Sequence, residues 1–215
     1  MSTITIVTVF ARTERSRLAD LLLQLGPDEP TLCAGWTTRD LAAHLVVRDR
    51  RPDASAGVLV PPLRAHGERV RLARAAQPFP DLVAEVRTPP WWSPVSNPLT
   101  DELANTVEFF IHHEDVRRGR AGWQPRELEP GHARAIWRAA KLTGRIALRR
   151  LRLPIRVREA GGLGEFTVGA EPAVTVEGPA GELALFLSGR QRATVVDLDG
   201  PEELRERLRT ANLSL

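Results

Sequence analysis

This 215-residue chain contains one cysteine, one methionine and no tyrosine. With Cys33 alone, no disulfide can close within the chain, and a reducing compartment fits. Lys141 is the single lysine, so nearly all the positive charge is arginine. The 30 basic residues are interspersed with 27 acidic ones, leaving a formal net charge of only +3. No phosphate-tracking patch results, and nucleic acid is not an expected partner. Long apolar runs are also missing. No window approaches the roughly 18 uncharged apolar residues of a membrane span. The apolar run in MSTITIVTVFARTERSR is too short, and too soon broken by charge, for a signal peptide. These absences point to a soluble cytoplasmic protein with no membrane partner. There is no internal repeat and no low-complexity tract.

What is present reads as helices first and strands later. Leu18, Leu21, Leu22 and Leu25 recur at helical spacing and stop at Gly26-Pro27. PDEPTLCAGW is a loop, with Trp36 as its structural anchor. Thr37 with Asp40 makes a capping-box-like start for a helix through DLAAHLVVRDR, which Pro52 ends. Residues 53–67 form a Gly- and Pro-rich connection carrying an exposed loop histidine, His66. A third helical region covers 68–87, broken near Pro78 and Pro80. TPPWWSPVSNPLT is a loop with Trp91 and Trp92 side by side. Thr100-Asp101 caps the next helix. A fifth spans about 131–151, with Ala135, Ala139, Leu142 and Ile146 along one face and a solvent-facing His132 at its start.

After Pro154 the spacing changes. IRVRE, EFTVG and AVTVEG are short, β-branched and Gly-punctuated, as strands are. GPAGELALFLSGR reads as a helix, ATVVDLDG as a strand and PEELRERLRTA as a terminal helix. The expected division is a helical bundle over 1–152 and a small α+β domain over 153–215.

The chemistry lies in ANTVEFFIHHEDVRRG, residues 104–119. On a helix with about 100° per residue, Asn105, His112 and Asp115 fall within about 60° of Glu108. Val107 and Ile111 flank this polar stripe on one side, Phe109 and Val116 on the other. His113 and Arg117 point to the opposite, solvent side. A carboxylate and an imidazole in the middle of an apolar arc cost several kcal/mol each if unpaired. Glu108 and His112, one turn apart, can present an oxygen and a nitrogen to one divalent cation. They could equally bond each other, or His112 could be a satisfied core histidine. His44 repeats the anomaly on the second helix, mid-arc between Ala43 and Val47 on one side and Leu41 and Leu45 on the other.

Together His44, Glu108 and His112 make a three-ligand site with an open position, the catalytic rather than the closed structural pattern. The donor set suits zinc best, with nickel, cobalt, manganese or iron possible. Asp115, on the same stripe, is placed to orient a ligand or handle a proton. His113, about 140° from Glu108, is not expected as a ligand.

The pairing of GWTTRDLAAHL with EFFIHHED resembles the metal-binding helices of the DinB-like superfamily, in particular its mycothiol-dependent maleylpyruvate isomerase branch. The resemblance implies a mainly α fold, a DinB-like four-helix bundle followed by a smaller C-terminal α+β domain. It also implies metal ligands at His44, Glu108 and His112, with Asp115 at the family's following acidic position. VTVEGPAGELALFLSGRQ resembles the family's second domain, in which an arginine after a Leu-rich helix contributes to the active site; Arg190 matches it. The signatures LCAGWTTRDLAAHLVVRDRRPDA and NTVEFFIHHEDVRR sit nearest an uncharacterised metal-binding subgroup and bear on fold and ligands rather than substrate.

The function so implied is metal-dependent activation of a small thiol such as mycothiol, by an isomerase or S-transferase acting on a thiol or thiol conjugate. Asp115 would move a proton, and Arg48 or Arg190 would pair with a substrate carboxylate. The alternative is a non-catalytic metal-binding or ligand-sensing module.

Overall fold

Gly26 sets the first boundary. Its φ of +85° suits glycine, and its N–H meets Leu22 O at 3.0 Å, ending α1 (Thr3–Leu25). The computed structural model describes residues 3–55, 61–93 and 101–213. α2 (Thr38–Arg50) begins where the Asp40 carboxylate accepts from Thr37 N and from its hydroxyl, both at 3.0 Å. That is the cap the Thr37–Asp40 spacing predicts.

Pro52 ends α2 and also opens the single-turn α3 (Pro52–Ser55). Pro61 likewise opens a 3-10 turn over Pro61–Leu63, and α4 (Arg64–Ala75) follows. The expected irregular connection is thus partly helical, because proline's fixed φ suits the first position of a turn. Residues 56–60 of it lie outside the described residues. His66 belongs to α4 rather than a loop, and its Nε2 lies 2.8 Å from Asp53 Oδ2. α5 (Phe79–Arg87) and α6 (Asp101–Arg117) complete the run. The expected cap residue Thr100 and the proline-rich residues 94–100 lie outside the described residues. Ahead of them, Trp91 and Trp92 are exposed.

The chain divides into two compact units, Met1–Trp123 and Gln124–Leu215. In the first, α1 runs along α6, while α2 packs on α4 and α5, and α5 on α1. The broken α4–α5 pair acts as the third helix of a four-helix bundle. Leu18, Leu22, Leu41, Leu45, Leu82, Val86, Phe109 and Val116 are buried together at its core. Each large aliphatic or aromatic side chain so buried contributes about 1.5–3 kcal/mol.

α6 departs from the expected one-sided pattern, for it is buried around most of its circumference. His113 does not face solvent. It is buried, with Nδ1 2.7 Å from Oε2 of the fully buried Glu14 on α1. The buried Glu114 accepts from Arg117 at 2.8 Å and from Arg118 at 2.7 Å. The second polar face is therefore internal and satisfied by a hydrogen bond and ion pairs, which a helical wheel cannot distinguish from a wet surface.

In the second unit, α7 (Pro130–Arg149) packs against α8 (Ala180–Leu187). Gly144 makes the close approach possible, since a Cβ there would lie 2.7 Å from Leu187 Cδ1. α7 was expected with the helical half, yet its packing on α8 groups it with the strands. Its buried face carries Ile136, Trp137, Ala140 and Leu148, whereas Leu142 and Ile146 of the expected stripe are exposed. His132 is buried rather than solvent-facing.

Among the described residues the strands β1 (Ile155–Glu159), β2 (Gly164–Val168), β3 (Val174–Gly178) and β4 (Asp197–Asp199) form one sheet in the order β2-β1-β3-β4. β1 pairs antiparallel with β2 and parallel with β3, and β3 pairs antiparallel with β4. Ile155, Val157, Val174 and Val176 alternate onto the buried face. The fully buried α8 follows β3, and α9 (Glu202–Arg209) follows β4. No helix among the described residues is long and apolar enough to cross a membrane.

Candidate metal centre

Two helices of the first unit bring the candidate ligands together. α6 presents Glu108 and His112 one turn apart, with His112 Nε2 3.3 Å from Glu108 Oε1. α2 presents His44, whose Nε2 lies 3.8 Å from the same oxygen. The two imidazole rings stand edge to face with centroids 5.3 Å apart. Side-chain exposure is 19% for His44, 29% for Glu108 and 9% for His112, so the cluster meets solvent at its Glu108 side.

Among the described residues two overlapping donor groups are present, His44–Glu108–His112 and Cys33–His112–Asp115. Donor spacing separates them. Bonds of about 2.0–2.2 Å to a tetrahedral ion put neighbouring nitrogen and oxygen donors about 3.3 Å apart. The 3.3 and 3.8 Å separations around Glu108 Oε1 have that scale. In the other group, His112 Nδ1 is 2.9 Å and Cys33 Sγ 3.2 Å from Asp115 Oδ2, which are hydrogen-bond lengths. The first group fits a divalent cation, and the second fits a support for one of its ligands. Asp115 is fully buried and sits behind His112, away from Glu108.

The electrostatics follow from burial and neighbours. Burial pushes His44 below the ordinary imidazole pKa. Burial alone would raise Glu108, yet the imidazoles of His112 and His44 hold its carboxyl well below the usual range. His112 goes the other way. Burial would lower it, but Asp115, Cys33 and Glu108 together raise it well above the ordinary value. A divalent cation at Nε2 has to displace that proton.

Arg48 comes from the turn of α2 after His44. Its Nε lies 3.3 Å from Glu108 Oε1 and its Nη1 3.5 Å from Asp49 Oδ1. Asp49 in turn takes Arg15 Nη1 at 2.5 Å, and the Arg15 guanidinium lies 4.1 Å from the centroid of the Phe109 ring. Arg190, the other expected cation, belongs to the second unit, where its Nη1 donates to Ser188 O at 2.6 Å.

Two residues at the cluster were not read as site residues. Trp36, read as a loop anchor, has its ring 5.2 Å from that of His44, and Arg71 lies 5.0 Å over the same ring. By composition alone Cys33 carries only a redox meaning. The available signal was position: a lone cysteine in a short Pro- and Gly-bounded loop just ahead of the capped helix that carries His44.

In sequence, no family model and no curated protein matches this chain. In structure, it superposes on the mycothiol-dependent maleylpyruvate isomerase with a TM-score of 0.58 at 16% identity, covering 94% of this chain and 96% of that one. A histidine-to-alanine variant of the isomerase gives 0.63 at 14% identity with the same coverage. This chain has the mycothiol-dependent maleylpyruvate isomerase fold. The likeness extends over both units, so the isomerase fold accounts for the helical bundle and the small sheet alike.

Proposed function

We propose that this protein is a metal-dependent enzyme that activates a low-molecular-weight thiol such as mycothiol for isomerisation or S-transfer. The observation that carries this reading is the spacing of His44, Glu108 and His112 around one carboxylate oxygen. That spacing matches the edges of a coordination polyhedron and leaves one side partly open to solvent. The fold shared with the mycothiol-dependent isomerase supports the same thiol.

His44, Glu108 and His112 would hold the cation, zinc being the best match to two imidazoles and a carboxylate. When bound, the cation lowers the pKa of a thiol at its open position, making the nucleophilic thiolate available near neutrality. The chain's own groups supply the rest. Arg48, partly exposed beside Glu108, is a cation at the cluster for a substrate carboxylate. Arg190 stands second, on the family resemblance. Asp115 accepts from His112 Nδ1 and so fixes which ring nitrogen faces Glu108.

Elemental analysis of the purified chain, followed by calorimetric titration with mycothiol and assay of thiol conjugates, tests the reading. One equivalent of zinc with thiol binding and turnover is the expected result. A cation bound without any affinity for thiols would sink it. That outcome is the second reading, a non-catalytic metal-binding or ligand-sensing module. In its favour, Asp115, the group the sequence offers for proton transfer, is fully buried and engaged by His112 and Cys33.

A further inference from the structure

The thiol of Cys33 reaches the cluster through a loop fixed at several points. Leu32 N donates to Asp115 O at 3.0 Å, tying the loop backbone to α6. The Thr31 hydroxyl accepts from Cys33 N at 3.2 Å and donates to Trp36 O at 2.9 Å. Trp36 N closes the turn on Cys33 O at 2.9 Å. At the end of α6, Gly119 lets Pro30 lie so close that an added Cβ would sit 2.0 Å from Pro30 O. The loop therefore has little freedom, and Cys33 Sγ is delivered to Asp115 Oδ2 at 3.2 Å.

That oxygen also faces His112 Nδ1 at 2.9 Å. Because Cys33 lies on the loop and His112 on α6, the thiol restrains the buried carboxylate from an element that His112 does not share. Direction matters here because the ring of His112 must turn Nε2 toward Glu108 and His44. Outer partners of this kind typically change metal affinity by about 10–100-fold.

We propose that Cys33 is a positioning residue of the metal centre, whose thiol, bonded to Asp115 and beside His112, holds that imidazole in its ligating orientation. This rests on the metal reading above. The donor spacings favour this role over direct ligation, since Sγ and Nδ1 stand at hydrogen-bond distance from the carboxylate rather than at the edge of a coordination shell.

Cobalt(II) titration of the full chain, followed by its visible d–d bands, tests the proposal in the unsubstituted protein, Cys33→Ala and Cys33→Ser. Cys33→Ala, which lacks the donor, is expected to bind cobalt about tenfold more weakly or worse, with altered d–d bands. Cys33→Ser, whose hydroxyl can donate, is expected to recover most of the affinity and the original bands. Cys33→Val substitutes for the alanine variant should that one fail to fold. Unchanged affinity and bands in the donor-less variant overturn the proposal while leaving the metal reading intact. So does a sulfur-to-cobalt charge-transfer band in the unsubstituted protein, which would make Cys33 a ligand. Equal weakening in the alanine and serine variants assigns Cys33 to packing and also overturns it. Absence of stoichiometric cobalt binding by the unsubstituted protein overturns the metal reading, and this proposal with it.

Discussion

His112 Nε2 lies 3.3 Å from Glu108 Oε1, one turn away on the same helix. A carboxamide has nearly the shape of a carboxylate but is a poor metal donor. Glu108→Gln is therefore expected to keep the helical circular dichroism and lose stoichiometric metal, as is His44→Ala. Metal content by elemental analysis checks this, and full occupancy in both variants would remove these residues from the ligand set.

The protonation of His112 links stability to pH. Its folded pKa is raised well above the ordinary value of about 6.5. The stabilisation this provides is complete below the unfolded pKa and is lost as pH rises through the folded one. Glu108, held low, acts only at the acid end and leaves this window unaffected. In the presence of a chelator, the melting temperature should fall from neutral toward alkaline pH, and Asp115→Asn should flatten that fall. With metal added, the dependence reverses, because protons compete for Nε2 and affinity weakens as pH drops. Thermal melts with and without chelator across pH 6–10 read both slopes.

Glu14 and His113 form a buried pair apart from the centre, with Oε2 and Nδ1 2.7 Å apart. Glu14→Ala strips His113 Nδ1 of this hydrogen-bond partner in a dry setting and should cost about 1–3 kcal/mol of stability. Chemical denaturation measures the loss. Metal stoichiometry in the folded fraction should remain one, since His113 is not a ligand.

Gly119→Ala places a methyl against the Pro30 carbonyl. The loop has to retreat, at a cost of about 1–3 kcal/mol, and it draws Cys33 and Leu32 away from Asp115. Lower melting temperature together with weaker cobalt binding is the expected pair of effects. A change in stability alone would separate the loop from the centre.

The parts of the site legible in the sequence are those set by spacing along one helix. Glu108 and His112 share a face by their separation of four, His44 follows from its place mid-arc after the Thr37–Asp40 cap, and the β-branched runs after Pro154 become the strands. Pairings between elements left no such trace. Whether His113 is wet or dry depends on α1, so its helical phase alone pointed the wrong way. The stripe through Leu142 and Ile146 failed for a related reason. α7 is held to α8 by a glycine contact, and small residues mark its buried side as much as large ones do. Cys33 reaches Asp115 only through a loop docked 82 positions away in the chain.

The candidate ligands are divided between α2 and α6, with His44 preceding Glu108 by more than sixty positions in the chain. During synthesis the first imidazole leaves the ribosome well before its partners, and alone it is a weak trap for any cation. On the proposed metal reading, selective loading would wait until α6 has emerged and packed against α1. On that reading, occupancy of the centre would report completed maturation, and a chain that ends before α6 would be left without the cation.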